Sequence, residues 1–162
     1  MKKNLEHKGS LLGSRSQRTL NQKRADLFRN SISSIDDKLN SFTPYVSRQN
    51  IAKLIAQLEM VKLTSGILGD IVEAGVYYGS GLMGWANIVA SLEPYNYQCQ
   101  IIGFDTFAGS KGVSKKDQVF NKIKRRDGEY KANSFEDLKK SIEIFDEDRP
   151  LSHLNKVKLI KG

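Results

Sequence analysis

Two acidic residues stand at the ends of short apolar runs, and they are the first residues in the chain with chemistry to offer. Glu73 follows Ile71-Val72, and Asp105 follows Ile101-Ile102-Gly103-Phe104. Short runs rich in β-branched residues read as buried strands. A carboxylate at a strand end can accept hydrogen bonds from ligand hydroxyls or favour a cationic group. Gly75, Gly79 and Gly81 come directly after Glu73, and glycine lets the backbone take positive φ and approach a ligand closely. Acids at two strand ends with a glycine loop beside one of them suit a nucleotide-like cofactor pocket.

Three cofactor chemistries compete for that loop. Gly79-Ser80-Gly81-Leu82-Met83-Gly84 matches G-x-G-x-x-G, and Asp105 lies 24 residues beyond Gly81, as in an NAD-type Rossmann oxidoreductase. In that fingerprint, however, the first glycine follows the strand at once, whereas Val76, Tyr77 and Tyr78 separate Gly75 from Gly79. Glu73 would also repel a pyrophosphate. A P-loop fails because no Gly-Lys-Ser/Thr follows. S-adenosylmethionine has no phosphate and carries a sulfonium, an ammonium and a carboxylate, so strand-end acids become assets. Glu73 would then sit by the methionine moiety and Asp105 would take the ribose hydroxyls. Gly75, Gly79 and Gly81 would bring the backbone close, with Tyr77, Ser80, Thr106 and Phe107 completing the cofactor-binding set.

The elements that must position these residues follow from periodicity. Ile51, Leu54, Ile55, Leu58 and Val61 have helical spacing, with Ser47 as N-cap and Gly66 as stop. Residues 82–92 are apolar almost all round and end before Pro94, which suits a buried helix. Ser134 and Asp137 resemble a capping box ahead of Phe135, Leu138, Ile142 and Phe145, another amphipathic helix. Residues 157–162 read as a third strand. Alternating helices and strands predict an α/β domain with right-handed parallel crossovers. Residues 1–30 read as a tail or a loosely docked helix, and Ile32, Ile35 and Leu39 fall weakly on one helix face. Residues 113–130 read as a partly ordered insertion anchored by Val119, Phe120 and Ile123.

Residues 69–81, followed by Ile102-Gly103-Phe104-Asp105-Thr106-Phe107-Ala108-Gly109, resemble the macrocin O-methyltransferase family of class I S-adenosylmethionine-dependent methyltransferases. That family pairs Glu-x-Gly-Val-x-x-Gly with Gly-Phe-Asp-Ser/Thr-Phe-x-Gly. The resemblance runs from about residue 48 to 162 and corresponds to the N-terminal half of such an enzyme. It implies an α/β fold, the Rossmann-like parallel sheet of a class I methyltransferase, here incomplete with about three strands and flanking helices. It also implies methyl transfer to a hydroxyl of a sugar or other small molecule. A divalent metal such as magnesium would be held by residues beyond Gly162. Ala108-Gly109-Ser110-Lys111 departs from the family's acid followed by Gly-Leu-Pro. With only three strands, the first would have an unpaired edge and an uncovered apolar face, which favours a partial sequence over a missing half supplied by a second chain. A homo-oligomer stays open on the same ground.

Composition bounds these readings. The 162 residues are 39% hydrophobic and 27% charged, ordinary values for a globular chain. The expected division is a basic, partly disordered extension over residues 1–44 and a partial S-adenosylmethionine-binding domain over 45–162. Net charge is +8, with nine Lys and Arg against four acids in residues 1–40 and seven against two in residues 111–127. The alternative to an enzyme is therefore a non-catalytic methyltransferase-like module docking on an acidic partner or nucleic acid. No aromatic residue precedes Phe28, which disfavours nucleic acid because single strands bind by stacking. Cys99 is the only cysteine, which suits a reducing compartment, and no apolar run reaches the ~20 residues that span a bilayer. The expectation is a cytoplasmic protein with no membrane partner. No catalytic base is nameable; His7 and His153 stand alone, without metal-ligand spacing.

Overall fold

The computed structural model describes residues 15–110, 128 and 130–162. The expected insertion over 113–130, the basic block 111–127 and the first 14 residues fall wholly or almost wholly outside the described residues. By contacts the chain divides into two compact units between Ala52 and Lys53.

In the first unit, helix α1 (Arg15–Asn30) is followed by the short helix α2 (Ile35–Asn40) and a 3-10 turn (Thr43–Tyr45). Ser34 caps α2 by accepting the Asp37 N–H at 3.0 Å, and Pro44 opens the 3-10 turn, where its missing N–H costs nothing. The unit closes around Phe28, whose ring meets Tyr45 edge-on at 5.2 Å. The Lys38 ammonium lies 5.2 Å from the Phe28 ring centroid. Ile32, Ile35 and Leu39 are all exposed, so their helical spacing does not mark a buried face.

Helix α3 (Arg48–Thr64) starts where the sequence indicates. Ser47 accepts the Asn50 N–H at 3.1 Å, and Gly66 follows the end at φ 80°. In the second unit, three parallel strands, β1 (Ile71–Ala74), β2 (Ile101–Asp105) and β3 (Val157–Lys161), lie in the order β1-β2-β3. The register pairs Glu73 with Gly103 and Asp105 with Lys161. Helix α4 (Ser80–Leu92) joins β1 to β2, and helix α5 (Phe135–Glu147) precedes β3. The core comprises Leu82, Ala86 and Val89 of α4, Leu138, Ile142 and Phe145 of α5, and Ile101 and Val157 from the strands. Strand alternation puts Val72 and Phe104 on the opposite face, where they are 60% and 41% exposed. Among the described residues β1 pairs only with β2.

The α5–β3 connection is held by a buried ion pair. Arg149 donates to Asp146 Oδ1 through Nε at 2.7 Å and Nη2 at 2.5 Å. Its other donors reach the carbonyls of Pro150, Leu151 and Leu154. Asp146 Oδ1 also accepts the Lys156 N–H at 3.3 Å, just before β3. Both side chains are nearly sealed from water, at 8% and 12% exposure. Removing one partner leaves a buried charge unpaired, so Arg149→Ala is expected to cost about 3–5 kcal/mol. Arg149→Lys should recover little of it, because an ammonium lacks the planar fork. Urea unfolding midpoints of the two variants check this; an Arg149→Ala midpoint within error of the parent would refute it.

Candidate functional site

Glu73 and Asp105 lie at the carboxyl ends of adjacent parallel strands, the end of an open α/β sheet where ligands bind. The two loops that follow are tied together by Asp105. Its Oδ2 accepts the Tyr77 N–H at 2.8 Å from the loop after β1. Its Oδ1 accepts the Phe107 N–H at 2.7 Å from its own loop. Both donors have left-handed backbone, φ 55° at Tyr77 and 54° at Phe107, a conformation that costs a residue with a Cβ about 1–2 kcal/mol. Charge-assisted bonds to the carboxylate offset that strain. A carboxylate oxygen has two lone pairs, so each keeps one acceptor position for a ligand hydroxyl.

Glu73 points from the same sheet edge toward the start of α4. Its Oε2 accepts the Trp85 indole N–H at 3.0 Å, and the Leu82 backbone N–H bonds to the carboxylate too. Gly79, the N-cap of α4, has no side chain to cap with, and Glu73 takes over that work from outside the helix. Burial pushes the Glu73 carboxyl above its usual range, with the bonds from Trp85 and Leu82 pulling the other way.

Among the glycines of the loop after β1 and of α4, three serve packing and one leaves room. A Cβ on Gly81 would lie 2.3 Å from Glu73 Oε2, so this glycine makes space for the carboxylate. On Gly84 it would lie 2.4 Å from Gln57 Oε1 and 3.1 Å from Leu54 Cδ2, where α3 meets α4. Gly79, at φ 82°, lies against Leu138 of α5. Gly75 differs from these, having φ 88° and nothing within 4 Å of a Cβ position. Each glycine of the G-x-G-x-x-G match therefore has a packing partner inside the domain. The open backbone is at Gly75, before the match begins.

The remaining predicted residues are placed as follows. Tyr77 lies between the two loops, its ring edge-on to Tyr78 at 4.5 Å and to Tyr130 at 6.3 Å. Burial and the neighbouring hydroxyls of Tyr78 and Tyr130 push the Tyr77 phenol up. Ser80 is exposed at the first position of α4. Thr106 is exposed too, but its hydroxyl accepts the Ala108 N–H at 3.2 Å within its own loop. The Phe107 side chain turns into the core against Phe135, ring centroids 5.2 Å apart. His153 is exposed in the turn before β3, and His7 falls outside the described residues. Among the described residues no group of three or more His, Cys, Asp or Glu side chains converges on a metal position.

Two features were not anticipated by spacing or motif. Gln57, on the apolar face of α3, is buried and donates to the Gly81 carbonyl at 3.0 Å. Ser134 does not cap α5 as the capping-box spacing predicts; its hydroxyl donates instead to the Tyr77 carbonyl at 2.6 Å. A cleft of about 400 Å³ lined by Ile67, Leu68, Glu93, Tyr95 and Tyr97 lies at the opposite, entry ends of β1 and β2. Hydrogen bonds from Asn96 and Ser65 hold the Glu93 carboxyl there below its usual range, which commits it to local structure.

No family model and no curated protein matches the chain. Solved structures do. The crystal structure of CalS11, calicheamicin methyltransferase, superposes with a TM-score of 0.84 at 24% identity, over 93% of this chain and 59% of that one. The apo structure of CalS11, described as TDP-rhamnose 3'-O-methyltransferase, gives 0.74 at 20% identity, over 93% and 56%. The chain thus spans somewhat over half the length of these neighbours, and along that span it has the Rossmann-like fold of a methyltransferase with an open parallel sheet.

Proposed function

We propose that the chain is the cofactor-binding half of an S-adenosylmethionine-dependent O-methyltransferase of the macrocin type, acting on a hydroxyl of a sugar or other small molecule. The observation that carries this reading is the pairing of Glu73 and Asp105 at neighbouring strand ends, with uncrowded backbone at Gly75 between them. The fold match and the paired sequence motifs support it, and the sugar class rests on the rhamnose-directed activity of a structural neighbour. The half-buried free thiol of Cys99 fits a reducing, cytoplasmic compartment. No helix among the described residues is long and apolar enough to cross a membrane.

The pocket's groups fit this cofactor's charges. Asp105 keeps an acceptor position on each oxygen for the two ribose hydroxyls. The partly exposed Glu73 favours the positive methionine moiety, and the backbone of Gly75, Gly79, Ser80 and Gly81 closes the turn around it. Tyr77 walls one side, and Thr106 and Phe107 shape the loop after Asp105. When bound, the cofactor supplies an electrophilic methyl group. The chain's part is to bind and orient it, which lowers the entropic barrier to an in-line displacement. Among the described residues no ligand group for a divalent ion assembles; the family resemblance implies a magnesium site held by residues beyond Gly162.

Calorimetric titration with S-adenosylmethionine tests the assignment. Asp105 also organises both loops, so Asp105→Asn, which keeps one acceptor oxygen but turns an amide donor toward one of the two loop N–H groups, is titrated alongside its thermal melt. Its affinity is expected to fall about 10- to 100-fold, the weight of one or two charge-assisted hydrogen bonds; unchanged affinity would place the ribose elsewhere. Asp105→Ala should fall further and should also destabilise the protein.

Glu73 generates a pH prediction with an uncommon sign. Its carboxyl is raised in the folded state, so between the ordinary carboxylate pKa of about 4.3 and the raised folded value the native state binds more protons than the unfolded one. Its contribution to stability is then present at low pH and lost as pH climbs through that window. Glu73→Gln should remove this fall, visible as the difference between the urea midpoints of parent and variant from pH 4 to 7. Parallel pH profiles would show that Glu73 does not titrate in this way.

A further inference from the structure

We propose that Ser134 is a positioning residue of the cofactor site: its buried hydroxyl fixes the Tyr77 carbonyl and thereby sets the loop that would receive the cofactor. This rests on the reading of that loop given above. Ser134 precedes Phe135, the first residue of α5, outside both motifs, where a serine ordinarily accepts a hydrogen bond from its own helix. Here it makes no cap bond. With the residue 4% exposed, its hydroxyl donates to the carbonyl of Tyr77 at 2.6 Å, 57 residues away.

The receiving residue is one that needs holding. Tyr77 has left-handed backbone at φ 55° without being glycine, and such a conformation persists only when its surroundings over-determine it. Asp105 holds its N–H and Ser134 holds its carbonyl. Pinned at both polar groups, the residue cannot swing about either bond. The following turn must then deliver Gly79 at φ 82° to start α4. Leu138, on the first turn of α5, lies against Gly79 in the same loop. Helix α5 therefore grips the loop at a polar point and an apolar one. Of the two, only the polar one fixes the rotation of the Tyr77 peptide.

The lone tryptophan, Trp85, donates to Glu73 beneath the loop, so its fluorescence reports on the site during titration of the full chain with S-adenosylhomocysteine. Ser134→Ala is expected to weaken binding about tenfold, the weight of one hydrogen bond. Ser134→Thr keeps the donor and should bind like the parent. Ser134→Asp puts an acceptor-only carboxylate against that carbonyl at a buried position, so it should bind no better than Ser134→Ala. Thermal melts of all three separate positioning from structure. Parent-like affinity in Ser134→Ala, or affinity restored together with melting temperature in Ser134→Asp, would overturn the proposal and leave Ser134 a structural residue. No binding by the parent would instead overturn the cofactor reading, and this inference with it.

Discussion

The candidate site depends on one carboxylate. Asp105 is the only described side chain seen bonding the backbone of both loops, accepting an N–H from Tyr77 and another from Phe107. The parallel pairing of β1 and β2 brings the two strand ends side by side, and the Gly75 N–H bonds the Phe104 carbonyl at 2.8 Å as the strands part. Beyond that point the β1–β2 ladder ends. The two left-handed residues would relax toward ordinary φ values without an anion to gather their amides. The carboxylate takes the place of the ladder. A single group thus shapes the candidate pocket and, on the proposed reading, also meets the ligand, so substitutions at Asp105 mix the two effects.

Glu73 shows the same economy in a different setting. It is the second strand-end acid, but its bonds run to Trp85 and Leu82 of α4 rather than across to the other loop. It substitutes for the cap that Gly79 cannot provide. Gly81 is a glycine because this carboxylate occupies the space where a Cβ would be. Half-burial raises the proton affinity of the group, against the opposing bonds from Trp85 and Leu82 and the charge of Lys53. A cationic moiety arriving at the exposed side of Glu73 would draw it back toward ionisation, so ligand charge and protonation at this position are linked.

Much of the scaffold was legible from residue types. The β-branched runs ending in Glu73 and Asp105 are β1 and β2, the apolar stretch before Pro94 is α4, and Phe135, Leu138, Ile142 and Phe145 mark α5 with its inward face. These signals are local and periodic. The interactions that set the site are not. Ser134 has the spacing of a helix cap, and only the tertiary structure shows its hydroxyl turned to Tyr77. Gln57 is polar at a position where helical period predicts an apolar residue, because the carbonyl it meets belongs to another helix. Phe107 sits beside the ribose-binding candidate in sequence, yet its ring packs on Phe135. Motif adjacency specifies which backbone is near a ligand. It does not specify which way a side chain turns, since that is decided by residues far along the chain.

The glycine loop illustrates why the literal G-x-G-x-x-G match misleads. Its three glycines are needed, but by Leu138, Glu73 and Gln57, none of which the pattern contains. In a dinucleotide fold the first two glycines of the fingerprint exist so that the chain can turn and approach a pyrophosphate. In this loop the glycine with positive φ and no described atom within 4 Å of a Cβ position is Gly75, immediately after β1, and the acid two positions before it would repel phosphate. The same six residues thus satisfy the pattern for reasons internal to the domain. The physical criterion that separates the cases is the occupant of the space a Cβ would take. Where a side chain of the same domain already fills it, the glycine reports packing; at Gly75, beside Glu73 at the carboxyl end of β1, no described atom lies within 4 Å of it.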